Sequence, residues 1–388
     1  MKIFHLSDLH IGKQLHYYSL KENQQAVLHQ IVERAQEYAP DVILICGDIF
    51  DKSVPSGEAY TLFDDFLNEL SEKLPETPVL IIAGNHDNAQ RLNYASSFLE
   101  KHHIYVSVLP PQQPGEHLKK IQLQDKWGTV NFYLLPFLKP GYVRHLFEEG
   151  VVTDYESAVR EVLARENIDY QERNVLLSHQ FYTNGGKAPE LCESENTVLS
   201  VGGLDNVDVS VIEQFDYAAL GHIHGAQMVK KPSIRYCGTP LKYSVSEEHH
   251  KKSITMVTLE EKGAEPIIDT IPLVPIQEVR REKGMLKEIL ARATKENCHD
   301  FISVTMTDEK EPYNPKEQLE EVYDFILELR IENSRTKSLI EEKEGLDMQL
   351  QPMEIFRSFY EEMNQQTLNE TEEKIVADII NQCREDEA

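Results

Sequence analysis

No stretch of about 18 consecutive apolar residues occurs in this chain, so no membrane-spanning helix is expected. The first residues run straight into an apolar strand pattern, without the hydrophobic leader of a signal peptide. Cysteine is sparse. Cys46, Cys192, Cys237, Cys298 and Cys383 are scattered without a CxxC spacing, which argues against thiolate zinc motifs and predicts reduced thiols in the cytoplasm. Internal repeats and low-complexity tracts are lacking. Positive charge is also short: 39 Lys and Arg stand against 66 Asp and Glu, a net charge of −27. Such a balance argues against a protein that holds nucleic acid mainly by its own basic surface. Residues 276–388 carry a net −13 and the first 275 carry −14, so the C-terminal part is the more acidic per residue. Bound metal would neutralise some of the acid in the first part. A nucleic-acid substrate would have to be attracted by metals or by a basic partner.

What is present is a soluble globular composition, 40% hydrophobic and 27% charged, over 388 residues, enough for two or three domains. Six apolar runs share one layout. Five of them stop at Asp, Asn or His: Lys2–Leu6 before Asp8 and His10, Val42–Cys46 before Gly47-Asp48, Val79–Ile82 before Gly84-Asn85-His86-Asp87, Val175–Ser178 before His179, and Tyr217–Leu220 before Gly221-His222-Ile-His224. The sixth, Asn131–Pro136, has no ligand at its end. Such runs read as strands buried on both faces, and open α/β sheets gather ligands at the carboxyl ends of their strands.

Between the runs, Ser19 and Glu22 read as a capping box for an amphipathic helix that Pro40 stops, and a second helix spans roughly 58–74. The resulting β-α-β-α-β order predicts parallel pairing with right-handed crossovers. Residues 108–127 read as a proline-containing loop excursion, and Thr153 with Glu156 as another capping box. A long polar loop is expected over 181–206, followed by short strands at 233–236, 253–259 and 267–274. The fold class predicted is α/β, a two-layer mixed β-sandwich flanked by helices, over residues 1–275. The prolines at 272 and 275 mark a boundary. Residues 276–340 read as a small α+β module, with helices at 285–293 and 317–329 around a strand at 300–306. Residues 347–388 read as helices with two apolar stripes, one through Met353, Phe356 and Tyr360, the other through Ile375, Val376 and Ile379. Those stripes suit ordinary core packing or a partner surface.

Converging carboxylate, amide and imidazole groups suggest a two-metal phosphodiesterase. Two cations about 3.5–4 Å apart activate water and neutralise phosphoryl charge. Asp48 is the natural bridge between them. Asp8, His10 and His224 would complete one ion, and Asn85, His179 and His222 the other, although the spacing leaves open which imidazole faces which ion. Mixed nitrogen and oxygen ligation without thiolate suits Mn²⁺, Fe²⁺ or Zn²⁺. His86 is the candidate to protonate the leaving oxygen or bind the phosphate, with Asp87 orienting it, and Asp51 is expected to support the loop or a ligand histidine. Any one of these motifs alone is usually structural; their joint occurrence, each after an apolar run, is not. His5 reads as a core histidine. Lys230-Lys231 and His249-His250-Lys251-Lys252 read as solvated turns rather than nucleic-acid contacts, and Lys139–Arg144 is undecided.

Taken together, Asp8-x-His10, Gly47-Asp48-x-x-Asp51, Gly84-Asn85-His86-Asp87, His179 and Gly221-His222-x-His224 resemble the calcineurin-like metallophosphoesterases. Two further segments, Ser194–Gly203 and Gly238–Glu247 with Lys251-Lys252-Ser253, resemble a DNA-nuclease branch whose members work with an SMC-like ATPase. The resemblance covers the first 275 residues in detail and the rest by layout. It implies a Mn²⁺-dependent nuclease, acting as a 3′–5′ exonuclease on duplex ends and an endonuclease on hairpins or blocked ends, gated by the partner's ATP. It also implies a homodimer within a heterotetramer, the metal ligands named above, and His86 as the catalytic histidine. Archaeal and eukaryotic members usually carry His where this chain has Asp51, so the role of that His does not transfer. The alternative is a phosphatase or small-molecule phosphodiesterase of the same fold. Protein phosphatases of the superfamily favour Arg-Gly and Glu where this chain has Lys52-Ser53 and Asp87.

Overall fold

In the computed structural model, the described residues are 1–195, 205–310 and 312–334, with parts of 353–376. Most residues of the two predicted tail stripes lie outside them; Met353, Phe356, Tyr360 and residues 372–376 are helical. Two compact units are present. One takes Met1–Arg281, Thr294–Ser303 and Tyr323–Glu328; the other takes Glu282–Ala293, Val304–Val322 and the described residues from Leu329 onward.

The first unit holds two six-stranded sheets. One runs in the order Ile267–Pro272, Ser253–Thr258, Lys2–Leu6, Val42–Cys46, Val79–Ile82, Ile104–Ser107. Its last four strands are mutually parallel, as the predicted crossovers require. The other runs Gln227–Val229, Lys231–Tyr236, Tyr217–Leu220, Arg173–Ser178, Gly128–Leu135, Lys119–Asp125, with the middle four parallel. Side chains alternate across each strand. Ile3, Val42, Leu44, Leu80 and Ile82 therefore meet Phe132, Leu134, Val175, Leu177 and Tyr217 in a dry layer between the sheets. The opposite faces are covered by helices. Val27, Ile31 and Phe66 of helices Lys21–Tyr38 and Gly57–Lys73 pack on Phe4, Ile43 and Ile81. Val159 and Val162 of helix Tyr155–Ala164 pack on Leu176 and Ala218. Burial on both faces is why the strands read as unbroken apolar runs.

Several local expectations shift. Leu20, not Ser19, is the N-cap of Lys21–Tyr38, without a side-chain cap, because Ser19 belongs to a two-residue strand paired with Gln14–Leu15. The second capping box lies one residue later: Asp154 accepts from the Ser157 N–H at 2.8 Å, and the Ser157 hydroxyl accepts from the Asp154 N–H at 3.0 Å. The excursion over 108–127 contains the edge strand Lys119–Asp125, whose alternation of half-buried and exposed residues is too polar to read as a buried strand. The helix predicted over 317–329 stops at Glu320, and Phe325–Ile331 is a strand. There Phe325, Leu327, Leu329 and Ile331 alternate with Glu328 and Arg330, a period of two that overrides the helical reading. This strand forms a three-stranded sheet with Val279–Gly284 and Phe301–Met306.

One ion pair fastens the edge of the second sheet. Arg173, 2% exposed, donates to both carboxylate oxygens of Asp125, at 2.5 and 3.1 Å. Asp125→Ala is expected to cost about 3 kcal/mol, because a buried guanidinium is left uncompensated. Urea unfolding with an unchanged midpoint would contradict this.

Candidate metal centre

Because the two sheets face each other, five strand ends open on one place. The turns that follow them are cross-linked through the backbone: Asp8 N–H donates to the Gly47 carbonyl at 2.9 Å, His10 N–H to Asp48 at 3.0 Å, and Gly221 N–H to Ser178 at 3.0 Å. Asp8, His10, Asp48 and His222 all adopt positive φ, at 52°, 43°, 49° and 98°. Non-glycine residues held there cost on the order of 1–3 kcal/mol each, and such strain concentrates at functional sites. Local bonds hold it in place. The Asp8 carboxylate accepts from the His222 N–H at 3.0 Å, and Asp48 Oδ1 accepts from the His86 N–H at 2.9 Å. The glycines before the ligands are required by close approach. A Cβ on Gly84 would collide with the Asp48 carboxylate and amide, and one on Gly221 with the Cys46 carbonyl and the His179 ring.

The side chains form two groups. In the first, His10 Nε2 and His224 Nε2 lie 3.2 Å apart, with an Asp8 oxygen within 4.8 Å of both. In the second, Asn85 Oδ1 lies 3.0 Å from His179 Nε2 and 3.0 Å from His222 Nδ1. Asp48 Oδ2 stands between them, 3.8 Å from His10 Nε2 and 3.4 Å from His179 Nε2. The outer ring nitrogens are committed elsewhere: His179 Nδ1 lies 2.7 Å from the Cys46 carbonyl, and His224 Nδ1 2.8 Å from Ser194 Oγ. That commitment sets the tautomer and leaves each Nε2 lone pair facing inward.

Electrostatics favour cations here. Asp8 and Asp48 are 0% and 2% exposed. Burial raises the Asp8 pKa. Burial also opposes ionisation of Asp48, but His179, His86 and His10 overcome it and hold that carboxylate well below its ordinary value. Burial likewise opposes charge on His179, yet Asp48 and Asp8 push it up to about 9. Burial leaves His10 well below its usual value and His222 lowered to about 3. Neutral imidazoles beside ionised buried carboxylates are the donor set that divalent cations satisfy. Asp8, His10 and His224 can hold one ion and Asn85, His179 and His222 a second, with Asp48 shared.

His86 sits beside both groups. Its ring meets His10 edge to face at 5.0 Å, its Nε2 is 3.9 Å from Asp48 Oδ2, and its Nδ1 is 2.9 Å from the Asp51 carbonyl. Its side chain is 28% exposed, whereas those of His10 and His179 are buried. Asp87 does not orient His86. Its carboxylate accepts from the Ile49, Phe50 and Gly84 amides at 3.1, 3.0 and 2.9 Å, so it ties two ligand turns together. Consecutive side chains in this turn point apart. Asp51 pairs with Lys13 at 2.8 Å and lies 3.7 Å from His10 Nδ1, a buried nitrogen without a hydrogen bond. His5 is a core residue, 2.8 Å from the Tyr217 hydroxyl.

Sequence reasoning missed the support behind His224. Its N–H donates to Glu195, and Ser194 donates to Glu247 Oε1 at 2.9 Å. Lys252 Nζ donates to Glu247 Oε2 at 2.6 Å, to Thr239 at 2.6 Å and to the His224 carbonyl at 3.1 Å. Lys252 is therefore neither a solvated turn residue nor a nucleic-acid contact. The available signal was the pair of segments at 194 and 238–253, which read as family markers without a physical role.

Two facing mixed sheets, with strand ends that converge on buried Asp, Asn and His, define a metal-dependent phosphoesterase. A family model described as calcineurin-like phosphoesterase matches residues 1–226, and one described as type 5 capsule protein repressor C-terminal domain matches residues 273–364. The chain belongs to the calcineurin-like phosphoesterases. It is 30% identical over 379 residues, 96% of each chain, to SbcD of the nuclease SbcCD from Staphylococcus epidermidis. Among solved structures, a dimetal phosphatase from Danio rerio is 14% identical at a TM-score of 0.38, covering 71% of this chain and 99% of its own. The GAP50 anchor of the Plasmodium inner membrane complex is 11% identical at 0.36, covering 86% and 98%.

Proposed function

We propose that this chain is the DNA nuclease subunit of an SbcCD-type complex and hydrolyses phosphodiesters with two Mn²⁺ ions. The observation that carries this reading is the likeness to SbcD over 96% of each chain, joined to a site whose seven ligand residues converge. When bound, the cations neutralise the phosphoryl oxygens and lower the pKa of attacking water. The chain's own residues do the rest. Asp8, His10, Asp48, Asn85, His179, His222 and His224 hold the ions, and the buried carboxylates fix their spacing. His86 hands a proton to the leaving oxygen, because its half-buried ring is open to a phosphate arriving from solvent. Asp87 fixes the Asp48 and His86 turns against each other, and Asp51 orients His86 through its carbonyl.

The activity proposed is 3′–5′ exonucleolytic on duplex ends and endonucleolytic on hairpins or blocked ends, in the cytoplasm at the nucleoid. No helix among the described residues is long and apolar enough to cross a membrane. The net charge of −27 supports a basic partner that delivers the DNA. We assign that role to an SbcC-type SMC-like ATPase that gates access, two copies pairing with a homodimer of this chain. Residues 276–340 act as the capping module and residues 347–388 bind the ATPase. Deleting 347–388 is expected to preserve Mn²⁺-dependent cleavage of short substrates and to abolish co-purification with the ATPase; intact complexes would refute the tail's role. The function itself is tested on linear duplex and hairpin DNA with Mn²⁺, with and without EDTA. Cleavage of both that EDTA stops is expected, and no cleavage of either would overturn the proposal.

A further inference from the structure

The sixth apolar run ends without a ligand, yet it leads to the metal centre. After Leu135 the chain places Phe137 and Lys139 in the wall of a cavity of about 200 Å³ that Asn85 and His222 also line. Phe137 lies nearly parallel to the His222 ring at 6.5 Å and 22°. Phe181 meets the same imidazole at 6.2 Å and 89°, and Tyr155 lies 6.4 Å from Phe137. Lys139 Nζ stands 5.9 Å from the Phe137 centroid. Gln180, 1% exposed, also lines the cavity. Its Nε2 donates to the Leu138 carbonyl at 3.0 Å, which fixes the amide orientation, and its Oε1 is buried without a partner. An orphaned acceptor in a polar cleft calls for a donor from a ligand. Asp205 adds a second acceptor.

Resting on the nuclease reading, we infer that this cavity takes the unpaired nucleobase next to the scissile phosphate. Aromatic walls stack a planar ring of any identity. Gln180 Oε1 accepts an exocyclic amino group, which adenine, cytosine and guanine carry and thymine lacks. Lys139 supplies positive charge for the adjoining phosphate. A base paired within a duplex cannot enter, so cleavage requires local melting, as at hairpin loops and fraying ends.

The test uses the whole chain with Mn²⁺ and oligonucleotides holding one cleavable phosphodiester between methylphosphonate linkages. The nucleotide on each side of it in turn is A, C, G, T or an abasic residue. On one of the two sides kcat/KM should be at least about tenfold higher for amino-bearing bases than for the abasic residue, with thymine between. Phe137→Leu should shrink the base-to-abasic ratio below about threefold, and Gln180→Met should remove the disadvantage of thymine while keeping the stacking gain. Equal rates for all five residues on both sides would overturn the pocket and leave the nuclease reading standing. No cleavage of any substrate by the unaltered chain would overturn both.

Discussion

Replacing His86 by alanine is expected to lower phosphodiester cleavage by about 10²–10⁴-fold while both cations still bind. The geometry makes this a sharp test. His10, Asp48 and His86 also bring ligand atoms within 4.8 Å of one another, so a ligand role for His86 is a competing arrangement. Three features favour the proton-donor role. His10 faces His224 at 3.2 Å in a group that Asp8 completes, without help from His86. The Nδ1 of His86 is engaged by the Asp51 carbonyl at 2.9 Å, which leaves Nε2 for substrate. Its side chain is also 28% exposed, where Asp8 and His179 are fully covered. Calorimetric Mn²⁺ titration of the variant separates the two roles. A two-site isotherm with cleavage lost supports the proton donor, whereas loss of one site makes His86 a ligand. Wild-type cleavage would remove it from the reaction.

The residues at the strand ends were legible because burial on both faces leaves an uninterrupted apolar signal that stops where the polar group begins. The fold followed from the same signal, since parallel strands alternating with amphipathic helices admit few topologies. The parts that escaped lack such a signal. Asp87 follows His86 in sequence, and adjacency suggested contact, but its carboxylate binds three amides on neighbouring turns. Lys119–Asp125 is an edge strand, and its lysines and glutamines protect that edge while hiding the strand. Glu195, Glu247 and Lys252 lie in irregular segments where charge ordinarily means solvent. Only the distance between Lys252 and Glu247 in space reveals that both are buried.

That pair carries the second large effect. Lys252→Met is expected to destabilise the protein by about 3–5 kcal/mol at neutral pH, because it leaves a buried carboxylate without its cation. Glu247 is 0% exposed and also accepts from Ser194, Ser244 and the Tyr243 amide at 2.9, 3.0 and 3.2 Å. Burial opposes its ionisation, but Lys252 foremost, with His224, holds it well below the usual carboxylate range. A depressed folded value means that the stabilisation is present above the unfolded value of about 4.3 and is lost as pH falls through the folded one. Without Lys252 the sign reverses: burial raises Glu247, and the variant regains stability on acidification as the carboxyl becomes neutral. The difference between wild type and Lys252→Met should therefore be largest near pH 7 and smaller near pH 4 in urea unfolding. Adding Glu247→Gln should recover most of the loss, since neither charge then remains buried alone. Lys252 also donates to the His224 carbonyl, and Ser194 links Glu247 to the His224 ring. Mn²⁺ affinity should accordingly fall in the single variant even under conditions where it is fully folded. Unchanged affinity together with an unchanged unfolding midpoint would mean that the pair supports neither the fold nor the metal centre.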